Sequence, residues 1–200
     1  EKRLNSFSRA LRENREAILA GLHPGTEVRV LKRPFAMSER PLNIVVGTPV
    51  KDGRCLLIRR IKDPYKDYWS LPGGKLEYGE HIPEAVEREI REETGMAVRF
   101  AGLKGVVSEV LRDHISGAVN GHFLIWVCGL SHVAGEPAEK YEGKVQWFSH
   151  EELDKEKSAV IPSDYLMVKR FIFGDAPVAI FHTVHMRSTE NGYEIEHTDL

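Results

Sequence analysis

The segment from Gly73 to Met96 constrains the fold more than any other part of the sequence. It opens with two glycines after a proline and continues into IPEAVEREIREET, where apolar residues recur at helical spacing. Pro83 suits the first turn of a helix, and Gly95 suits its C-terminal stop. The sequence therefore predicts a tight glycine turn followed by a helix over residues 83–94.

Glutamates are concentrated on one side of this helix. At about 100° per residue, Glu89, Glu92 and Glu93 fall within one stripe beside the apolar residues Val86 and Ile90. Like charges at this spacing destabilise a helix by about 0.2–0.5 kcal/mol per pair, and a position bordering the core adds a desolvation cost. The stripe is therefore expected to have a cationic partner.

A divalent cation fits the stripe best. Arg88 lies four residues before Glu92 and can pair with one carboxylate, which leaves the remaining charge uncompensated. Carboxylates without His or Cys suit Mg²⁺ or Mn²⁺ better than Zn²⁺. The alternative interpretation is that all these acids form one solvated face of the helix.

The spacing of the whole segment resembles the Nudix box, GX5EX7REUXEEXGU, where U is an aliphatic residue. The matching positions are Gly74, Glu80, Arg88, Glu89, Ile90, Glu92, Glu93, Gly95 and Met96. Weaker similarity extends to both sides, so that about residues 42–173 resemble a Nudix domain.

The resemblance implies a Mg²⁺-dependent enzyme, with Mn²⁺ as a substitute, that cleaves the diphosphate bond of a nucleoside diphosphate linked to another group. By motif position, Glu89, Glu92 and Glu93 would be metal ligands. Glu80 would be a further ligand or would act through a water molecule, and Arg88 would orient the carboxylates.

The general base is open between several glutamates, because family members take it from the box or from a later loop. Glu92 is the candidate within the box. Glu142, in the acidic loop GEPAEKYEG, is the second, and a solvated loop charge is an equally good interpretation of it. Glu109 is a weaker third candidate.

Glycines and cations around the box are candidates for substrate binding. Gly73 and Gly74 allow the backbone to turn tightly and to approach a metal or phosphate. Arg59, Arg60 and Lys75 could attract phosphates, although adjacent residues on a strand face opposite sides, so that only one of the two arginines can reach the site. Ordinary surface charge is the alternative interpretation of these cations.

The pattern of elements predicts an α/β or α+β sandwich with a mixed β-sheet. The resemblance implies that it is an α/β Nudix-type sandwich, with the sheet between helices. A hairpin is expected at 42–60, turning at Asp52-Gly53, and a second hairpin in the tail, turning at Asn191-Gly192. A second helix is expected over 161–173, capped by Ser163 or Asp164. Three parts follow: an N-terminal helix and strand extension (1–41), the Nudix domain (42–173) and a C-terminal hairpin extension (174–200).

Composition limits the partners and the compartment. The formal net charge is -2 and the pI is about 6.6, so no basic field indicates nucleic acid or an anionic membrane. Cys55 and Cys128 lie in apolar runs typical of buried thiols. No apolar run is long enough for a membrane span or signal peptide, which predicts a cytoplasmic protein.

The substrate prediction rests on similarity alone. The plain box around LPGGKLEYGE resembles those of enzymes acting on ADP-ribose and on nucleoside triphosphates. An ADP-ribose-like nucleotide sugar is favoured, because enzymes of that type often use added N-terminal structure to form a homodimer. The alternatives are a nucleoside triphosphate pyrophosphohydrolase and, from another class, a non-catalytic Nudix-like sensor or regulator.

Overall fold

The computed structural model describes residues 40–139, 143–174 and 180–198. Within these residues, nine strands form one mixed sheet. The expected N-terminal helix and strand, and Glu142, lie outside the described residues. No helix in the described part of the chain is both long and apolar enough to cross a membrane.

The first hairpin forms as the sequence predicts. Strand β1, Leu42–Lys51, runs antiparallel to β2, Arg54–Arg60, and the left-handed backbone of Asp52 (φ 51°) and Gly53 (φ 70°) makes the turn between them. The opposite edge of β1 pairs in parallel with β6, Val119–Ala134. β1 therefore lies inside the sheet, which explains its continuous apolar run.

The remaining strands extend the sheet in both directions. The short β3, Trp69–Ser70, and β7, Gly143–Ser149, pair with β2, while β4, Gly73–Lys75, pairs with β1. β5, Ala97–Arg112, pairs antiparallel with β6 and in parallel with β8, Ile180–Thr189, and β9, Gly192–Thr198, closes the edge. The C-terminal hairpin thus continues the same sheet.

Helices lie on both faces of the sheet. Helix α1, Ile82–Thr94, ends at Gly95 in the left-handed conformation (φ 77°), as predicted. It is followed by α2, His150–Lys155, a 3₁₀ turn, Lys157–Ala159, α3, Pro162–Met167, and a π-helical segment, Val168–Ile172. Helix α2 was not predicted from the sequence, although its Ser149 cap forms a capping box with Glu152.

Neighbouring residues of the central strands divide the core into two layers. Val45, Leu56 and Cys128 pack with Val86 and Ile90 of α1 on one face of the sheet. The residues next to them in sequence, such as Val46, Leu57 and Val127, pack on the other face with α3. Val86 and Ile90 are fully buried, and each such side chain stabilises the fold by about 1.5–3 kcal/mol. This burial holds α1 and its carboxylates against the sheet.

Two local predictions need correction. Neither Ser163 nor Asp164 caps the second helix; it begins at Pro162, after Ile161 and without a side-chain cap, and both polar side chains are buried instead. In the tail hairpin, Thr189 pairs with Gly192, so Glu190-Asn191 forms the turn, one residue earlier than expected.

Candidate active site

The glycine turn is built into the edge of the central strand. Gly73 and Gly74 lie on β4 and pair with Val46 and Val45 of β1. Gly73 has φ 145°, and a Cβ there would lie 2.1 Å from the carbonyl oxygen of Val45. Only glycine combines this conformation with this approach, so the turn requires it.

Two carboxylates of α1 contact the glycine turn. The backbone N–H of Gly73 donates to Oε2 of Glu93 at 2.8 Å. A Cβ on Gly74 would lie 2.6 Å from the carboxylate atoms of Glu89. The two glycines therefore form a floor on which Glu89 and Glu93 rest, and the sequence-predicted metal ligands meet the sequence-predicted turn.

Arg88 holds three carboxylates together. Its Nε and Nη2 donate to the two oxygens of Glu80 at 2.8 and 2.9 Å, a bidentate pair. Its Nη1 donates to Glu89 at 2.8 Å and to Glu92 at 3.2 Å, and Nη2 also reaches the carbonyl oxygen of Lys75 at 3.2 Å. Arg88 thus orients Glu80, Glu89 and Glu92 from one position.

The carboxylates differ in environment. Hydrogen bonding from Arg88 lowers the pKa of Glu80. Burial raises the pKa of Glu89 despite its bond to Arg88, because the low-dielectric surroundings disfavour its charged form. The Glu89 side chain is only 15% exposed, whereas that of Glu92 is 56% exposed. Glu89 therefore has the stronger need for an additional cation, and Glu92 has direct access to water.

The donor set suits a hard divalent cation. Glu80, Glu89, Glu92 and Glu93 supply oxygen atoms only, and the absence of a Cβ at Gly74 leaves room for the Glu89 carboxylate. Among the described residues, no three His, Cys, Asp or Glu side chains converge as a ready metal-binding group. Arg88 instead engages three of the four carboxylates, so ion binding requires some of them to turn away from the guanidinium.

The two arginines of β2 separate as expected from strand geometry. Arg60 is partly buried and lines a small cavity of about 40 Å³ together with Glu93. Arg59 is exposed, and its Nε donates to the carbonyl oxygen of Asp67 at 3.1 Å. The side chain of Lys75 is also exposed. Lys62 lines the same cavity, and of the three predicted substrate-binding cations Arg60 is the one that lies next to a box carboxylate.

Two buried acids, Glu109 and Asp164, form a buried acidic group behind the glycine turn. The sequence did not predict that they lie together. Glu109 is 2% exposed and accepts a 2.7 Å hydrogen bond from the Tyr65 hydroxyl. Asp164 accepts the backbone N–H of Leu71 at 3.1 Å. Burial raises the pKa of both acids, that of Asp164 to about 7, while Arg60 acts in the opposite direction on each. Asp164 was interpreted as a helix cap, so no sequence signal linked it to Glu109.

Sequence similarity agrees with this geometry. The family profile of the NUDIX domain matches residues 41–171. The chain belongs to the Nudix hydrolase family. An ADP-ribose pyrophosphatase of Methanocaldococcus jannaschii is 40% identical over 114 residues, which cover 57% of this chain and 67% of that protein. The Nudix hydrolase YvcI of Bacillus subtilis is 34% identical over 128 residues, covering 63% and 74% of the two chains.

The fold is shared with solved Nudix structures. The crystal structure of a MutT protein from Bacillus halodurans has a TM-score of 0.62 and 26% sequence identity, and the match covers 78% of this Nudix hydrolase and 95% of that chain. The predicted α/β Nudix-type sandwich is therefore confirmed. The family assignment also makes the chain an enzyme, a Nudix pyrophosphohydrolase.

Proposed function

We propose that this Nudix hydrolase cleaves the pyrophosphate bond of a nucleoside diphosphate linked to another group, with ADP-ribose as the best candidate and Mg²⁺ as the metal. The observation that carries the proposal is the seating of Glu89 and Glu93 on the Gly73–Gly74 floor. The 40% identity to an ADP-ribose pyrophosphatase supports the choice of substrate.

The metal site would draw on Glu89, Glu92 and Glu93, with Glu80 as a further ligand or acting through water. When bound, a divalent ion neutralises pyrophosphate oxygens and lowers the pKa of coordinated water. Arg88 holds the carboxylates in position, and Glu89 and Glu93 are held against the Gly73–Gly74 turn. Fixed geometry matters because phosphoryl transfer depends on positioning and charge neutralisation.

Glu92 is our choice for the general base. Its carboxylate is the most exposed of those that contact Arg88, so a water molecule can reach it. Glu109 is buried and accepts the Tyr65 hydroxyl, which argues against a base role. Glu142 stays a prediction outside the described residues.

We assign the substrate phosphates to the cations that flank the Gly73–Gly74 turn. Arg60 lines a cavity together with Glu93 and is the first candidate, and Arg59 and Lys75, which are both exposed, are the other predicted cations. The backbone of Gly73 and Gly74 permits close approach because neither carries a Cβ.

The decisive experiment is a substrate screen with product analysis by chromatography. ADP-ribose, NADH, nucleotide sugars, dinucleoside polyphosphates and nucleoside triphosphates are each incubated with enzyme and Mg²⁺ or Mn²⁺, and with Glu92→Gln as the control. We expect AMP and ribose 5-phosphate from ADP-ribose, and loss of turnover in the folded variant. Preference for a triphosphate would select the alternative pyrophosphohydrolase, and cleavage of none would favour the sensor.

Cytoplasmic location and a homodimer stay predictions for the same protein. Sedimentation or light scattering of the full chain measures the oligomeric state directly. Binding assays with DNA, RNA and anionic vesicles test the expected absence of nucleic-acid and membrane partners.

A further inference from the structure

A second cavity lies away from the box carboxylates, between the C-terminal hairpin and the start of α3. Its volume is about 630 Å³, within the range of about 300–1,000 Å³ that is typical of ligand pockets. It is a cleft open to solvent, because Lys155, Lys157 and Asn191 of its lining are exposed, so a ligand can enter it directly. Glu80, Glu89, Glu92 and Glu93 do not line it.

Aromatic side chains form much of its wall. Tyr193 of β9 packs edge-on against Tyr68, with ring centroids 5.6 Å apart, and Tyr165 of α3 lies in the same lining. The Tyr165 hydroxyl donates to Asp154 at 2.8 Å, which fixes this ring in place. Fixed aromatic rings offer flat surfaces on which a planar ligand can stack.

Two lysines give the cavity a positive charge. Lys155 and Lys157 both line it, and within the described residues neither forms an ion pair with a carboxylate. Lys157 Nζ lies 4.9 Å from the centroid of the Tyr165 ring, so its charge is held at the wall. The nearby carboxylate of Asp154 is already paired with Lys169 at 2.9 Å. The lining therefore combines uncompensated positive charge with aromatic surface.

We propose that this cavity binds a nucleoside monophosphate. The phosphate would lie between Lys155 and Lys157, and the base would stack on the tyrosines. Asn191, at the hairpin turn, supplies an amide able to donate and accept hydrogen bonds with the base or sugar.

Tyr65 connects the cavity wall to the buried acidic group. Tyr193 packs 4.5 Å from Tyr65 between ring centroids, and its hydroxyl accepts the Tyr65 backbone N–H at 3.3 Å. The Tyr65 hydroxyl in turn donates to Glu109. Only Tyr193 and Tyr65 therefore separate a ligand stacked on Tyr193 from the buried acidic group.

Photolabelling tests the proposal without turnover. 8-Azidoadenosine 5′-monophosphate is irradiated with the full chain in EDTA, which removes divalent ions, and labelled peptides are mapped by mass spectrometry. We expect labelling of peptides containing Tyr165 or Tyr193. AMP should protect at concentrations at least tenfold lower than adenosine, ribose 5-phosphate or inorganic phosphate.

Matched double variants locate the charge. Lys155→Ala/Lys157→Ala should reduce labelling at least tenfold and leave kcat/KM of the hydrolase and the melting temperature unchanged. Lys104→Ala/Lys144→Ala removes the same charge from exposed strand positions and should label like the wild type. Label confined to residues 73–96, equal labelling of the two variants, or equal protection by phosphate alone would overturn the proposal.

Discussion

The backbone N–H of Gly73 donates a 2.8 Å hydrogen bond to the carboxylate of Glu93, twenty residues further along the chain. This contact joins the central sheet to α1 at the place where substrate phosphates are expected. This contact explains the spacing of the box. Between Gly73 and Glu93 the chain must form a loop and about three helical turns before the two residues can meet. Mutations on the two sides of this contact should therefore have different effects.

The two glycines should respond differently to alanine. Gly73→Ala places a Cβ 2.1 Å from the Val45 carbonyl oxygen, on a residue whose φ is 145°. We expect a loss of stability of about 1–3 kcal/mol. Gly74→Ala meets the carboxylate at the end of the Glu89 side chain, which can shift by rotation about its side-chain bonds. Stability should therefore fall little, while kcat drops about 100-fold as the carboxylate is displaced. Urea unfolding and steady-state kinetics separate the two effects. Equal losses of stability would contradict this division.

Replacing Arg88 with lysine should impair the site although the charge is kept. Lysine cannot form the bidentate pair with Glu80 and also bind Glu89 and Glu92. We expect kcat/KM and metal affinity each to fall about 10–100-fold, as for other groups that orient ligands. Arg99→Lys is the control, since Arg99 is exposed and makes one 3.6 Å ion pair with Glu87. A wild-type rate for Arg88→Lys would remove its orienting role.

The parts of the fold set by local physics could be predicted from sequence. The Asp52-Gly53 turn and the Gly95 stop depend on backbone conformations that few residues adopt, and α1 has a clear apolar periodicity. The box spacing likewise brought Glu89 and Glu93 to the glycine turn. Asp164 could not be placed in this way, because its partner Leu71 lies 93 residues away and the helix-cap interpretation is locally equally good.

Metal binding should be measurable without substrate. A ligand at 100 times its Kd stabilises the folded state by about 2.7 kcal/mol, which for a chain of this size raises the melting temperature by roughly 5–10 °C. We expect Mg²⁺ or Mn²⁺ to produce such a rise in metal-free protein and Glu89→Gln to abolish most of it. Glu87→Gln on the same helix keeps an acceptor for the Phe100 N–H and should respond like the wild type. The same rise in Glu89→Gln would exclude Glu89 as a ligand.

Asp164 should make the wild-type protein less stable as pH rises. Burial raises its pKa from the ordinary 3.8 to about 7, so between these values the folded state binds more protons than the unfolded state. The free energy of unfolding therefore falls as the pH rises from the unfolded pKa to the folded one. The total fall is about 1.4 kcal/mol for each pKa unit between the two states, and it is complete above about pH 7. Asp164→Asn keeps an acceptor for the Leu71 N–H but carries no titrating proton, so its unfolding free energy should fall less between pH 5 and 8.

Glu109, whose pKa is raised in the same direction, leaves a residual slope in both proteins. Urea titrations at pH 5, 6, 7 and 8 give the two slopes, and identical slopes would show that Asp164 stays charged in the fold.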